Sequence, residues 1–215
     1  MKVVVAGANG LTGRIVLRML AEAGHQPVAM IRDFAQREEL EPLGAECRIG
    51  DLEKPVGYAV RGCRAAIFAA GSGSKTGPEK TIDVDQNGAM AFIDTCVRMN
   101  ARRFVMLGSI AVDKPERGPE SLHHYFRAKA IADRHLQASG LNYTIVRPGF
   151  LTNEPGSGAI ATGDDLGPIA KETHSVSREN VARALVDCLA LDNTVEKTFE
   201  MIDGETPIAD ALKAL

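Results

Sequence analysis

Short apolar runs alternate with longer segments of helical period along most of the chain. The apolar runs predict strands at residues 2–6, 28–31, 46–49, 65–69, 104–107, 143–146 and 198–202. Several of these runs contain no polar residue, as expected when both faces of a sheet are buried. Apolar residues at helical spacing predict helices over residues 11–23, 79–99, 124–139 and 178–189. The alternation predicts an α/β fold, a doubly wound parallel sheet of about seven strands with helices on both faces.

One stretch, residues 149–175, departs from this alternation. It has no clear helical or strand period, and it contains five glycines and two prolines. Long irregular segments in compact domains often carry function, so we expect this small segment to face the substrate. Elsewhere the sequence shows no linker, repeat or shift in composition, and 215 residues are within the size that one hydrophobic core covers. We therefore expect a single domain over residues 1–215.

Composition and charge narrow the possible partners. The chain is 45% hydrophobic and 25% charged with a net charge of -3, so it offers no basic surface for nucleic acid. No apolar run approaches the roughly 18 residues that span a bilayer, and the apolar start is too short for a signal segment. The cysteines at positions 47, 63, 96 and 188 form no CxxC pair and have no histidine at metal-ligand spacing. We expect a cytoplasmic protein with reduced thiols, no metal site and a small-molecule substrate; the sequence leaves its oligomeric state open.

A strand, a glycine-rich turn and a helix start follow one another at the beginning of the chain. Gly7 permits a tight turn, Gly10 lets the backbone approach a pyrophosphate, and Gly13 lets the helix pack against the strand. The helix N-terminus adds free N–H groups and positive partial charge. Turn chemistry alone does not demand three glycines at this spacing. The order of elements therefore predicts that a dinucleotide binds here.

The end of the second predicted strand bears on the choice between NADP and NAD. In NAD sites a carboxylate there takes the adenosine ribose hydroxyls, whereas a nearby arginine accommodates a 2′-phosphate. Ile31 occupies the usual acid position and Arg32 follows it, which favours NADP(H) over NAD(H). Arg14 is either a second phosphate ligand or a solvated helix-surface residue. Asp33 is the counterargument, because a strand one residue longer would place it on the ribose and favour NAD.

Several motifs together carry a resemblance to a known family. They are the GxxGxxG spacing of the turn, the Arg147-Pro-Gly sequence and the run Ser177-Arg-Glu-Asn-Val-Ala. In these the chain resembles an atypical short-chain dehydrogenase/reductase, similar to compact NAD(P)-binding proteins of the NmrA-like and biliverdin reductase B groups and to the NAD-dependent epimerase/dehydratase group. The resemblance covers nearly the whole chain.

The resemblance implies positions for the rest of the cofactor. It places Asp51 and Leu52 beside the adenine, and Ala69, Ala70 and Gly71 along the cofactor ribose. It also implies that Pro148, Gly149 and Phe150 touch the nicotinamide. The full set of predicted cofactor contacts is Gly7, Asn9, Gly10, Leu11, Thr12, Gly13, Arg14, Arg32, Asp51, Leu52, Ala69, Ala70, Gly71, Ser109, Lys129, Pro148, Gly149 and Phe150.

Ser109, Tyr125 and Lys129 match the Ser-Tyr-Lys constellation of that superfamily, and we take them as the candidate catalytic residues. Tyr125 and Lys129 are at positions i and i+4, so both lie on one helix face, where the ammonium group stabilises a phenolate. Ser109 orients the substrate oxygen in this scheme. The structural alternatives are an interface aromatic for Tyr125 and a ribose ligand without proton transfer for Lys129. Arg147 either supports the site or pairs with an acidic helix residue.

Three functions fit these residues. The leading hypothesis is an NADP(H)-dependent oxidoreductase acting on a small carbonyl or alcohol. An NmrA-like sensor would bind NADP(H) without turnover, and it would not need an acid at the nicotinamide. A sugar-nucleotide epimerase or dehydratase would use the same Tyr125 and Lys129, but enzymes of that kind carry a larger C-terminal substrate domain than the roughly 65 residues that follow Gly149 here.

Overall fold

A large, mostly parallel sheet forms the centre of the protein. The structure, a computed structural model, describes residues 1–73, 76–167 and 170–215. Its strands are β1 (Lys2–Ala6), β2 (Gln26–Ile31), β3 (Glu46–Ile49), β4 (Ala65–Phe68), β5 (Arg103–Leu107), β6 (Asn142–Pro148), β7 (Phe150–Thr152), β8 (Ala159–Gly163), β9 (Ser175–Ser177), β10 (Lys197–Asp203) and β11 (Thr206–Pro207). Within the described ranges, nine of them form one sheet in the order β11-β8-β10-β6-β5-β4-β1-β2-β3, and β7 pairs with β9 apart from it.

The parallel part of this sheet consists of β10, β6, β5, β4, β1, β2 and β3. These are the seven strands that the apolar runs predict, each within two residues at either end, so the Rossmann-type α/β fold is confirmed. β8 runs antiparallel to β10, and β11 runs antiparallel to β8, which extends one edge of the sheet. The sequence did not predict these two additional strands.

Helices cover both faces of the sheet. They are α1 (Leu11–Glu22), α2 (Arg37–Leu40), α3 (Gly57–Val60), α4 (Pro78–Thr81), α5 (Ala89–Arg98), α6 (His123–Gln137), α7 (Arg178–Asp187) and α8 (Ile208–Lys213), with 3₁₀ turns at Phe34–Gln36, Glu41–Leu43, Pro115–Arg117, Glu120–Leu122, Cys188–Ala190 and Asp192–Thr194. A π-helical segment, Ile82–Gly88, joins α4 to α5, so the single helix predicted over 79–99 has a wider turn inside it. None of the helices described is long and apolar enough to cross a membrane.

Two apolar layers, one on each face of the sheet, hold the fold together. Side chains alternate along β1, so Val3 and Val5 point into the layer beneath α1 and α7 while Val4 points into the layer beneath α5 and α6. In the second layer the ring of Phe92 lies 5.8 Å from that of Phe68, measured between centroids. Each fully buried side chain of this size contributes about 1.5–3 kcal/mol.

The segment 149–175 is more regular than its glycine content indicates. It contains β7 and β8; Pro168 and Ile169 lie outside the described residues. Its described part is tied to the main sheet, because the Leu166 N–H donates to a carboxylate oxygen of Glu200 on β10 at 2.8 Å. The other oxygen of Glu200 accepts a hydrogen bond from Arg117 at 3.1 Å. The sequence pattern does not predict β7 and β8, because each is short and β8 alternates only weakly.

The strand order reverses between β1 and β4. Chain connections lead from β1 outward through β2 to β3, and then return to β4, β5 and β6 on the other side. In open parallel sheets of this kind, ligands bind in the crevice at the carboxyl ends of the strands where the order reverses. The glycine turn after β1 and the loop after β4 lie at that point.

Candidate functional site

The glycine turn after β1 is built from very close backbone contacts. Gly7 has a φ of +80°, and a Cβ placed on it would lie 2.5 Å from the main-chain nitrogen of Ala70. A Cβ on Gly13 would run into the carbonyl oxygen of Gly7 and the backbone of Ala8. The N–H of Gly10 donates to the Gly7 carbonyl at 3.0 Å, which closes the turn. Any side chain at Gly7 or Gly13 would force turn, helix and neighbouring strand apart.

Helix α1 begins directly after this turn and presents free donors. Its N-cap is Gly10, which has no side chain to cap the helix. Among the described residues, the N–H groups of Leu11, Thr12 and Gly13 have no acceptor. Such a helix start carries positive partial charge and suits a phosphate group. The residues present therefore fit the pyrophosphate of a dinucleotide.

A cleft lies beside the turn at the carboxyl ends of β1, β2 and β3. Its lining includes all of the residues that the resemblance places near adenine and ribose: Asp51, Leu52, Ala69, Ala70 and Gly71. Two further predicted cofactor contacts, Asn9 and Arg32, also line it. Ile31 is the last residue of β2, as expected. The Oδ1 of Asp33 accepts a hydrogen bond from the Ala35 N–H at 2.9 Å and caps the 3₁₀ turn. Asp33 is thus held by local structure, and it does not line the cleft.

Arg14 binds the turn itself. Its guanidinium donates to the main-chain oxygen of Asn9 at 3.1 Å and to the side-chain oxygen of Asn9 at 2.5 Å. It also forms an ion pair with Glu39. Arg14 is therefore neither freely solvated nor part of the cleft lining, and its contacts fix Asn9, which does line the cleft.

A second cavity of about 670 Å³ continues from the turn toward helix α6. Its lining combines turn residues, the candidate catalytic residues Tyr125 and Lys129, the loop after β4 and further residues such as Asp85 that the sequence did not single out. The full lining is Gly10, Leu11, Thr12, Ala69, Ala70, Gly71, Ser72, Gly73, Thr76, Thr81, Asp85, Leu107, Gly108, Ser121, Leu122, His124, Tyr125, Lys129, Leu151 and Arg178. One open space thus extends from the phosphate-binding turn to Tyr125 and Lys129.

The strand-end residues predicted to touch the nicotinamide lie behind this cavity. The Gly149 N–H donates to the carbonyl of Met201 at 3.0 Å, and the Phe150 N–H donates to that of His174 at 2.7 Å. Pro148 is buried in the last position of β6. Leu151, the next residue along the chain, lines the cavity. A contact of Pro148, Gly149 or Phe150 with the nicotinamide stays a prediction.

Lys129 is almost fully buried in helix α6, with 2% of its surface exposed. Its ammonium group donates a hydrogen bond of 2.8 Å to the main-chain oxygen of Leu107 at the end of β5. The same group lies 5.7 Å from the centre of the Phe68 ring, within the range of a cation–π contact. These contacts hold one positive charge at the carboxyl end of the central strands.

Tyr125 stands one helical turn before Lys129. Burial raises the pKa of its hydroxyl above the usual value, the charge of Lys129 lowers it, and the carboxylate of Asp85 raises it. Contact with Ser109 also favours the phenolate. The Ser109 hydroxyl itself donates to the Ile110 carbonyl at 3.1 Å. Tyr125 is therefore protonated at neutral pH in the protein without ligand, as an acid must be before it gives up its proton.

Arg147 lies behind the site and pairs with an acidic helix residue. Its guanidinium contacts the Oδ2 of Asp133 on α6 at 2.9 Å and also pairs with Asp113. Asp133 is buried, and burial raises the pKa of its carboxyl while Arg147 and then Lys129 lower it. The structure thus resolves the open role of Arg147 in favour of a buried ion pair that supports α6.

A protein-family comparison matches residues 7–192 to a family described as NAD(P)H-binding. The match begins at the first glycine of the turn and includes Tyr125, Lys129 and most of the segment that follows. This chain belongs to the NAD(P)H-binding family. The predicted dinucleotide-binding character of the protein is confirmed at this level.

Individual relatives of this NAD(P)H-binding protein cover its whole length. The "uncharacterized sugar epimerase YhfK" of Bacillus subtilis strain 168 is 41% identical over 219 residues, which cover all of both chains. A solved Bacillus halodurans structure, named as a candidate NAD-dependent epimerase/dehydratase, is 39% identical with a TM-score of 0.96 and also covers all of both chains. The Lactococcus lactis oxidoreductase ylbE is 28% identical with a TM-score of 0.88, over 100% of this chain and 96% of its own. The resemblance to the epimerase/dehydratase group is confirmed.

Proposed function

We propose that this protein is an NADP(H)-dependent oxidoreductase that interconverts a small carbonyl compound and its alcohol. The observation that supports the proposal is one cavity that includes both the phosphate-binding turn at Gly10 and the pair Tyr125 and Lys129. An acid and a dinucleotide site that share one space are the parts that carbonyl reduction requires. The substrate is a small molecule that binds beside Tyr125.

The cofactor rests on residues from three strand ends in this proposal. The free N–H groups at the start of α1 hold the pyrophosphate. The cleft beside the turn would hold the adenosine, and we call it the adenosine cleft. Asp51 and Leu52 line it after β3, and Ala70 lines both this cleft and the second cavity. When bound, the nicotinamide supplies or accepts a hydride. Every proton step falls to side chains of this chain.

Arg32 favours NADP(H) over NAD(H). It lines the adenosine cleft directly after the apolar end of β2, where a guanidinium can form charge-assisted hydrogen bonds to a 2′-phosphate. The carboxylate that would compete for the ribose hydroxyls is Asp33, and its Oδ1 caps the following 3₁₀ turn. Neither β2 nor Asp33 therefore contributes a carboxylate to the lining of the cleft beside Arg32.

Tyr125 donates its phenolic proton to the substrate oxygen during reduction and takes it back during oxidation. The Lys129 ammonium stabilises the phenolate that remains, and its bond to Leu107 fixes where that charge stands. Ser109 contributes a hydroxyl beside Tyr125 that orients the substrate oxygen. A tyrosine is protonated at neutral pH and burial raises the pKa of Tyr125 further, so the reductive direction starts with the acid in the correct state.

A second candidate, sugar epimerisation, is favoured by the name of the relative that is 41% identical. Epimerisation would use the same Tyr125 as a base, with the cofactor oxidised and reduced within one cycle. It would require a cavity able to hold a sugar ring beside the nicotinamide, within the roughly 65 residues after Gly149. A sensor role without turnover would leave Tyr125 and Lys129 without a chemical task, which favours an enzyme.

The test is NADPH oxidation against a panel of carbonyl compounds and quinones. Wild-type protein should oxidise NADPH with at least one member, and Tyr125→Phe should lower kcat/KM by about 10²–10⁴. Tyr58→Phe is the matched control, because Tyr58 is 66% exposed and lies outside both cavities. NADPH binding without oxidation by any panel member contradicts the proposal and favours a sensor. Conversion of a nucleotide sugar without net NADPH oxidation favours the epimerase.

A further inference from the structure

Asp85 is a buried acid at the centre of the π-helical segment Ile82–Gly88. Only 1% of its surface is exposed, and it lines the cavity that contains Tyr125 and Lys129. A π-helical turn widens the helix, and such turns inside α-helices are frequent at functional sites. The sequence gives no direct signal for Asp85, because helical periodicity over 79–99 takes no account of the wider turn.

The two carboxylate oxygens of Asp85 have different surroundings. Oδ2 accepts a hydrogen bond of 2.9 Å from the N–H of Ser72, in the loop after β4. Oδ1 has no hydrogen-bond partner among the residues that the structure describes. It lies beside Gly71, where a Cβ would be 3.2 Å away from it. The free oxygen therefore stands next to the loop that lines both the adenosine cleft and the second cavity.

Anchoring the loop does not explain this arrangement. One oxygen is enough to accept the Ser72 N–H, and an asparagine would do so without a buried charge. A buried acceptor that lacks a donor destabilises the fold, and it does so more when it is charged. The hydroxyls of Ser72 and Thr81, which contact each other at 3.3 Å, line the same part of the cavity. This wall is thus polar, and within the described ranges it is built around an acceptor that has no donor from the protein.

We propose that Asp85 Oδ1 is a ligand-binding atom of this cavity, where it accepts a hydrogen bond from an O–H or N–H group of the bound molecule. The inference rests on the proposed function, since it assumes that a dinucleotide and its substrate occupy the cavity. A carboxylate at this place selects for hydroxyl, amide or amine groups and against anionic groups. The donor belongs either to the nicotinamide half of the cofactor or to the substrate that lies on it.

Asp85→Asn tests the inference with little change of shape. The asparagine oxygen still accepts the Ser72 N–H, while its amide group points a donor toward the cavity in place of an acceptor. Asp83→Asn is the matched control, because Asp83 lies on the same π-helical segment, loses the same charge and is exposed. Gly71→Ala is a second variant, whose new methyl group would crowd Oδ1 without changing any charge. Thermal unfolding of each variant shows whether it is folded.

NADPH binding is measured by fluorescence titration. Binding of 2′,5′-ADP, a probe without the nicotinamide half, is measured by calorimetric titration. If the donor is on the cofactor, Asp85→Asn and Gly71→Ala both weaken NADPH binding about tenfold or more, and Asp85→Asn leaves 2′,5′-ADP binding unchanged. If the donor is on the substrate, NADPH binding is unchanged and KM rises about tenfold for the carbonyl compounds that wild type reduces.

The inference is overturned if Asp85→Asn behaves like Asp83→Asn in NADPH affinity and in KM. Should wild type reduce no member of the panel, the NADPH titration alone decides. Failure of the proposed function looks different, because then the wild-type protein itself either binds no NADPH or oxidises it with no member of the panel. A Gly71→Ala variant that folds and binds like wild type, together with an unfolded Asp85→Asn, also overturns the inference.

Discussion

The buried ammonium group of Lys129 donates its hydrogen bond to the main-chain oxygen of Leu107, at 2.8 Å. This contact joins helix α6 to the carboxyl end of β5, the strand whose end borders the second cavity. Since a buried lysine must find partners for its charge, the position of the ammonium group is fixed by the fold before any ligand binds. Tyr125 lies one turn earlier on the same helix, and this fixed charge lowers the pKa of its hydroxyl.

Lys129→Met should raise the pKa of Tyr125. Methionine keeps most of the volume but removes the charge that lowers this pKa, so that only the contact with Ser109 still opposes burial and Asp85. The chain contains three tyrosines, so carbon-13 labelling of tyrosine and an NMR pH titration can follow each one separately. Lys54→Met, at an exposed position, is the control. An unchanged Tyr125 titration would show that the two groups do not interact.

Arg32→Ala should weaken NADPH binding by about 10–100-fold and leave NADH binding nearly unchanged. The estimate corresponds to the loss of a charge-assisted hydrogen bond to the 2′-phosphate. Calorimetric titration with both cofactors measures the effect. Arg102→Ala removes the same charge at the amino end of β5, away from the clefts, and should affect neither cofactor. Equal losses for NADPH and NADH would contradict the assignment of Arg32 to the phosphate.

Gly7→Ala should destabilise the fold and abolish NADPH binding. Gly24→Ala should destabilise the fold less and leave NADPH binding unchanged. Both glycines have a positive φ, at +80° and +75°, so each substitution strains the backbone by about 1–2 kcal/mol. A Cβ at Gly24 meets no atom within 4 Å, but at Gly7 it meets the backbone of Ala69 and Ala70. Urea unfolding and NADPH titration of the two variants separate strain from crowding. Retained NADPH binding in a folded Gly7→Ala protein would contradict the proposed fit of the turn.

Arg147→Met should destabilise the protein by about 3–5 kcal/mol near pH 8, because it leaves the buried Asp133 carboxylate without its partner. Burial already raises the pKa of Asp133, and removal of Arg147 raises it further. When folding raises the pKa of a carboxyl group, the folded protein loses stability as the pH rises through that raised pKa. The penalty should therefore be smaller near pH 5 than near pH 8.

Urea unfolding of Arg147→Met at several pH values measures this dependence. Arg183→Met is the control, since Arg183 forms only a half-exposed helix pair with Asp187. It should change the free energy of unfolding by less than about 1 kcal/mol. A penalty for Arg147→Met that does not vary with pH would show that lost packing, and not the charge of Asp133, causes it.

The sequence predicted what depends on local pattern and chain order. Runs such as 65–69 and 104–107 are buried on both faces, so their apolar character alone identified the parallel strands. The order of elements then placed Gly10 directly after β1 and Tyr125 on the helix that follows β5, and both connections begin at the carboxyl edge of the sheet. That prediction follows from topology, because the carboxyl ends of parallel strands lie at one edge of the sheet.

What the sequence could not predict depends on contacts between distant segments. Asp85 reaches the cavity because a π-helical turn shifts the helix face, and no hydrophobic period reports such a turn. Arg14 is directed to Asn9 by its pairing with Glu39, a residue 25 positions away. Leu151 lines the cavity and Phe150 does not, because β7 pairs with β9. The glycine-rich sequence between these two strands does not predict that pairing.

The most direct test of the central claim is the NMR signal of the Tyr125 ring during a titration with NADPH. If the dinucleotide extends from the glycine turn to Tyr125 and Lys129, NADPH should shift this signal to saturation at one equivalent. The signal of Tyr58 should stay in place, and 2′,5′-ADP should leave Tyr125 unchanged. An unshifted Tyr125 signal in protein saturated with NADPH would contradict the account, because the nicotinamide would then lie elsewhere.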